Sequence, residues 1–154
     1  PIPIEIPDNV IGSIKRFRNY DPDRIKDYEF NNGYLYIYLD EIQRLESLQD
    51  FRSIIEAFLY EVERGKLPET EAFYHFSFEE DFQKMQFTVD RHLFEQDITA
   101  KIIELSIVEE ALKYQLYSRK AIGVNVIYID QQTQQAFIDR FHPTKNELFK
   151  GFEQ

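Results

Sequence analysis

Three histidines are the clearest acid–base residues in this chain of 154 residues. His75 and His142 are each preceded by an aromatic residue and followed, two positions later, by a hydroxyl residue, Ser77 or Thr144. An imidazole can donate or accept a proton near neutral pH, which makes it the usual general acid or base of an enzyme. The repeated pattern makes these two segments candidates for a catalytic site, whereas His92 is expected at a strand end on the surface.

The two segments resemble the paired His-x-Thr/Ser elements of the two-histidine phosphoesterases. In that family the elements lie on neighbouring strands, bind a phosphodiester and supply the acid and the base. The resemblance implies a small phosphodiesterase whose site is formed by His75, Ser77, His142 and Thr144. The sequence departs from the family at Pro143, which removes a strand hydrogen-bond donor, and Thr144 is also suited to capping a helix. The alternative interpretation is one ordinary strand histidine and one ordinary loop histidine.

The chain lacks the residues that several other classes of enzyme require. The chain has no Cys, which excludes thiol nucleophiles, cysteine zinc sites and disulfide scaffolds. Its five Gly form no phosphate-binding loop and no dinucleotide-binding fingerprint. Adjacent acids such as Glu79-Glu80-Asp81 and Glu109-Glu110 are typical of a solvated turn or helix face. We therefore expect no cofactor and no metal.

The charge balance excludes further partners. There are 28 Asp and Glu against 18 Lys and Arg, a net charge of −10. Nucleic acids and anionic membranes repel such a surface, so we expect neither as a direct partner. No apolar stretch approaches the ~20 residues that span a bilayer, and no signal peptide is expected. The absence of Cys favours a reducing compartment, and we predict a cytoplasmic protein.

Most of the negative charge is concentrated in one segment. Residues 40–81 hold 12 acidic residues against four basic ones, a net charge of −8. The helix expected in this segment carries Glu56, Glu61 and Glu63, which we predict to bind a basic protein. Solvation of an ordinary helix surface is the alternative explanation.

A tyrosine stripe is the second candidate binding feature. In the segment Tyr34–Leu39, Tyr34, Tyr36 and Tyr38 alternate with aliphatic residues, so the tyrosines share one face of a strand. Tyrosine is enriched at protein interfaces because its ring buries a large area and its hydroxyl still forms hydrogen bonds. The stripe is predicted either to bind a partner or to pack beneath a helix or the N-terminal arm.

The remaining patterns predict one domain over residues 1–154. Its class is α+β: an antiparallel sheet built from hairpins, with two long helices and short terminal helices packed on it. Strands are expected over 1–7, 28–39 (a hairpin turning at Asn32-Gly33), 72–78, 84–93, 124–129 and 136–141. Long helices are expected from a capping box at Ser47 and Asp50 to Gly65, and over 97–118, with short helices over 8–17 and 144–152. The 97–118 helix carries two apolar stripes and is predicted to be buried on more than one side.

These features lead to three functional hypotheses. The first is a non-enzymatic acidic inhibitor that neutralises a basic protein, as small bacterial immunity proteins, antitoxins and phage inhibitors do. The second is the phosphodiesterase described above. The third is a structural or assembly subunit that self-associates through the tyrosines or an exposed strand edge.

Overall fold

The computed structural model describes residues 2–7, 21–31, 34–65 and 71–143, with the backbone alone for residues 2–7. It has an α+β fold of hairpins and helices, as the sequence predicts. The elements are β1 (Ile2–Pro7), β2 (Asp27–Asn31), β3 (Tyr34–Leu39), α1 (Glu41–Arg64), β4 (Phe73–Phe78), β5 (Lys84–Val89), α2 (Arg91–Gln96), α3 (Ile98–Tyr117), β6 (Val124–Asp130) and β7 (Ala136–His142). The expected turn at Asn32-Gly33, the helices over 8–17 and 144–152, and Thr144 lie outside the described residues.

The first sheet is three-stranded and antiparallel, in the order β1-β3-β2. The predicted pairing of residues 28–31 with 34–39 is confirmed, and the proline-rich segment forms an edge strand. Leu35, Ile37 and Leu39 have no solvent exposure, because the alternation turns all three toward the core. The tyrosines therefore lie on the opposite face.

The first long helix begins earlier than predicted. Its N-cap is Asp40, whose side chain accepts a hydrogen bond from the Gln43 backbone at 2.8 Å, while the Gln43 side chain accepts from the Asp40 backbone at 3.0 Å. This capping box satisfies two backbone N–H groups at the helix start, and the prediction of a start at Ser47 was wrong. Ser47 lies buried inside the helix. The predicted end at Gly65 is confirmed, with a left-handed φ of 58°.

The second sheet is four-stranded, in the order β4-β5-β6-β7. Its two hairpins are antiparallel, but β5 and β6 pair in parallel. The helices between β5 and β6 supply the crossover connection that a parallel pair requires. The predicted strand over 84–93 ends at Val89, because Asp90 caps α2 by accepting from the Leu93 backbone at 3.0 Å.

The two long helices pack against each other and against one face of this sheet. They run antiparallel: Arg44 near the start of α1 donates to the Tyr117 carbonyl near the end of α3 at 2.9 Å. Phe58 of α1 contacts the rings of Phe76 and Phe87 in the sheet, with centroids 5.1 and 6.2 Å away. The helices thus cover one face of the second sheet.

Candidate functional site

The outer face of the first sheet combines tyrosines with carboxylates. Residues directly opposite one another in an antiparallel sheet share a face, so the register defines this surface. It consists of Pro3, Glu5 and Pro7 of β1, Tyr34, Tyr36 and Tyr38 of β3, and Asp27, Glu29 and Asn31 of β2. We call these nine positions the acidic tyrosine face. Three of them are acidic, and none is Lys or Arg.

This face is open to solvent among the described residues. Asp27 and Glu29 are exposed, Tyr34 is 42% exposed, and Tyr36 and Tyr38 are partly exposed. The nearest base along the chain is Lys26, whose Nζ pairs with Asp40 Oδ2 at 3.6 Å. The carboxylates of the face therefore have no counter-charge from this neighbour.

A hydrogen bond joins the two residue types on the face. The Tyr38 hydroxyl donates to Glu29 Oε1 at 2.8 Å, and the Tyr34 and Tyr36 ring centroids lie 6.4 Å apart. The bond to Glu29 is the main cause that raises the pKa of Tyr38 above its ordinary value, so this phenol stays neutral at physiological pH. The second oxygen of Glu29 takes no part in this bond.

Such a surface suits guanidinium and ammonium groups. Carboxylates accept charge-assisted hydrogen bonds from Arg and Lys, and tyrosine rings attract the same cations through their faces. Charge along the sequence did not point to the acids of this surface, because Glu5, Asp27 and Glu29 lie outside residues 40–81. Only strand pairing brings them beside the tyrosines.

The three helix glutamates predicted to bind a partner do not form one surface. Glu56 and Glu63 are seven residues apart, two turns along the same side of α1. Glu61 lies on another side, where it lines a groove between α1 and α3. Glu56 also pairs with Arg52, its Oε1 lying 3.7 Å from Nη1. The expected single acidic helix face is therefore divided.

Much of the charge in residues 40–81 is locally balanced. Besides Asp40 and Glu56, four acids in this segment lie in ion pairs. They are Glu41 with Arg44, Glu46 and Asp50 with Arg24, and Asp81 with Lys120. Two of these bases lie outside the segment, so net charge along the sequence overstated the field of this region.

The structure does not bring the two predicted catalytic histidines together. His75 lies on edge strand β4 and points away from the helices, since its neighbour Phe76 packs against α1. His142 lies on the opposite edge strand, β7, is only 2% exposed, and contacts α3. Three strand spacings separate the edges, on the order of 14 Å. A shared phosphate site has no geometric support here, and Ser77 is an exposed residue beside His75.

His92 also differs from its expected place. It lies on α2 rather than at a strand end, with its ring Nε2 3.3 Å from the Gln96 side-chain nitrogen. It is exposed, as a surface residue should be.

A buried polar cluster, which the sequence did not predict, surrounds Glu104 of α3. Glu104 is 1% exposed, and its Oε2 lies 2.7 Å from His142 Nε2 and 3.0 Å from Arg140 Nε. Burial favours a neutral carboxyl, but His142, Tyr128 and Arg140 outweigh it and lower the pKa of Glu104. Burial, together with Glu104, raises the pKa of Tyr128. The signal that could have revealed this cluster is a charged residue between the apolar stripes of α3.

The contacts of Glu104 with His142 and Arg140 link α3 to β7, and Glu104 and His142 are almost fully buried. A buried carboxylate needs such partners, since an unpaired charge in the interior is costly. His142 is only 2% exposed, so among the described residues its imidazole is closed to a substrate.

Within residues 2–7, 21–31, 34–65 and 71–143, no group of three or more metal-binding side chains is arranged around a common point. No helix in these ranges has the length and apolar character to cross a membrane. Comparison with known proteins finds no matching family model, no similar curated protein and no similar solved structure.

Proposed function

We propose that the protein is a non-enzymatic binding protein whose acidic tyrosine face engages a basic protein. The observation that carries this proposal is the composition of that face: three acids and three tyrosines in register, with no base among its nine positions. The sequence predicts contacts through both the helix glutamates and the tyrosine stripe. The proposed site keeps only the sheet.

The physical basis is complementarity of both charge and shape. Exposed carboxylates speed the approach of a cationic partner, and the net charge of −10 adds to that attraction. The tyrosines supply contact area at low entropic cost, because each has only two side-chain torsions to fix. Arg and Lys side chains of a partner would lie across the rings with their charged ends on Asp27 and Glu29.

The class of protein that best matches these properties is a small inhibitor. Immunity proteins, antitoxins and phage inhibitors neutralise basic enzymes by covering their cationic sites. A cytoplasmic location is part of this proposal. The support for this class is an analogy of size, charge and architecture.

Affinity capture with matched variants tests the proposal. The wild-type protein is immobilised, exposed to extract of its native host at low salt, and eluted with increasing salt before mass spectrometry. We expect at least one basic protein to be retained by the wild type and lost from Asp27→Lys/Glu29→Lys.

A second variant, Glu79→Lys/Glu80→Lys, is the control. It makes the same change in charge at two exposed residues of the β4–β5 turn. Retention by this control and loss by the face variant would support the proposed site. Equal loss by both variants would show a general charge effect, and equal retention by both would overturn the site.

A further inference from the structure

An apolar stripe on α3 has no cover among the described residues. Ile98, Ile102 and Leu105 are 83%, 57% and 43% exposed. Further along the same side, Leu112 is buried, so the predicted burial of this stripe holds only toward the end of the helix. The spacing of four and then three residues is that of a seam between two helices.

The stripe borders the groove between α1 and α3. This groove has a volume of about 340 Å³ and is lined by apolar residues of both helices, among them Ile54, Ile102 and Ile107. Ile54 is 48% exposed, which extends the apolar surface onto α1. Together, the stripe and the groove form one surface, which we call the helix patch.

Two residues of opposite charge lie on either side of the helix patch. Glu61 lines the groove on the α1 side. Lys101 lies beyond the stripe on the other side, in a different pocket that also holds one further base and two acids. Glu61 and Lys101 lie at nearly the same height along the antiparallel helices, since they are 17 and 16 residues from the contact between Arg44 and Tyr117. A carboxylate and an ammonium group therefore flank the patch at the same level.

Two copies of the helix patch can face each other with these opposite charges in contact. A two-fold axis parallel to the helices would bring Glu61 of one copy onto Lys101 of the other, giving two Glu61–Lys101 pairs. The same rotation would place α3 of one copy against α1 of its mate in antiparallel orientation. Every neighbouring pair would then be antiparallel, as in an up-down four-helix bundle.

We propose that a second copy of this chain occupies the helix patch, forming a homodimer through a four-helix bundle of α1 and α3. The acidic tyrosine face takes no part in this contact. The dimer and the proposed basic partner thus use different surfaces.

Sedimentation equilibrium at several protein concentrations tests the dimer. We expect the wild type to dimerise and Ile102→Asp to weaken dimerisation by about 100-fold, because a carboxylate would be buried in the seam. Ile102 is already exposed in the monomer, so its replacement should leave the circular dichroism spectrum unchanged. Ile42→Asp is the control, since Ile42 is 69% exposed on α1 and does not line the groove.

A charge exchange tests the orientation of the two copies. Lys101→Glu and Glu61→Lys should each weaken the dimer by about tenfold, and the double variant should restore it. A wild type that stays monomeric at its highest soluble concentration would overturn the proposal. So would a dimer insensitive to Ile102→Asp, or one lost in Asp27→Lys/Glu29→Lys. None of these results depends on capture of a basic partner.

Discussion

A glutamate lies beside a tyrosine in two regions of the molecule. One pair is exposed to solvent and the other is buried among basic residues. On the first sheet, Glu29 accepts a hydrogen bond from Tyr38 on an exposed face whose nine positions include no base. In the core, Glu104 lies near Tyr128 and also contacts Arg140 and His142. Glu104 has counter-charges within the chain, whereas no described base forms an ion pair with Glu29.

The interior pair contributes to stability, whereas the exposed pair belongs to the proposed binding surface. The interior pair requires counter-charges, since burial of a bare carboxylate would destabilise the fold. The exposed pair adds little to stability, because solvent screens its charge. No base occupies the nine positions of the acidic tyrosine face, and the proposed basic partner would supply the counter-charge. Variants of the two regions should have effects of different kinds.

The largest expected effect is on the interior pair. Glu104→Ala leaves Arg140 and His142 without their carboxylate and should lower the free energy of unfolding by about 3 kcal/mol. Urea denaturation measures the change. The control is Glu95→Ala, which removes a carboxylate from an exposed pair with Arg91 and should cost less than about 1 kcal/mol. Similar losses of unfolding free energy in both variants would contradict the distinction between the buried and the exposed carboxylates.

Acid should reduce the contribution of Glu104. Its pKa in the folded protein is below the ordinary value of 4.5, so folding favours the carboxylate. The resulting stability is present above that ordinary value and is lost as the pH falls through the lowered folded pKa. Glu104→Gln should melt below the wild type at neutral pH, with the gap narrowing on acidification. A gap that stays constant or widens would contradict this linkage.

The smallest expected effect is on the exposed pair. The Tyr38 hydroxyl should titrate above its ordinary pKa of 10.0, and Glu29→Gln should lower that value by removing the charged acceptor. Carbon NMR of ring-labelled tyrosine follows the titration, and the melting temperature should scarcely change. An unchanged Tyr38 titration in Glu29→Gln would show that the two side chains do not interact in solution.

Local patterns predicted most of the elements. Alternation in residues 34–39, the glycine at the end of α1 and the apolar spacing over 97–118 each indicate structure within one segment of the chain. The start of α1 was misplaced because Ser47 and Asp40 both suit a cap, and only the hydrogen bonds to Gln43 distinguish them. The parallel pairing of β5 with β6 depends on how a long helix returns to the sheet, which no short window contains.

The candidate site was predicted only in part. The tyrosine stripe follows from alternation along one strand, but its acidic neighbours come from β1 and β2 through strand register. The net charge of residues 40–81 predicted a strongly acidic helix face. Bases distant in sequence, such as Arg24 and Lys120, pair with several of these acids and reduce that charge. His75 and His142 share a sequence pattern but lie on opposite edges of a sheet, a separation that strand order alone determines.

Calorimetric titration of the captured basic partner is the most direct test of the acidic tyrosine face. We expect wild-type affinity to fall with added salt and Asp27→Lys/Glu29→Lys to bind about 100-fold more weakly, a loss of about 2.7 kcal/mol. Glu79→Lys/Glu80→Lys should stay within about threefold of the wild type, since its charges lie outside the contact. If the two variants bind equally well, or if the face variant keeps wild-type affinity, the acidic tyrosine face is not the binding site.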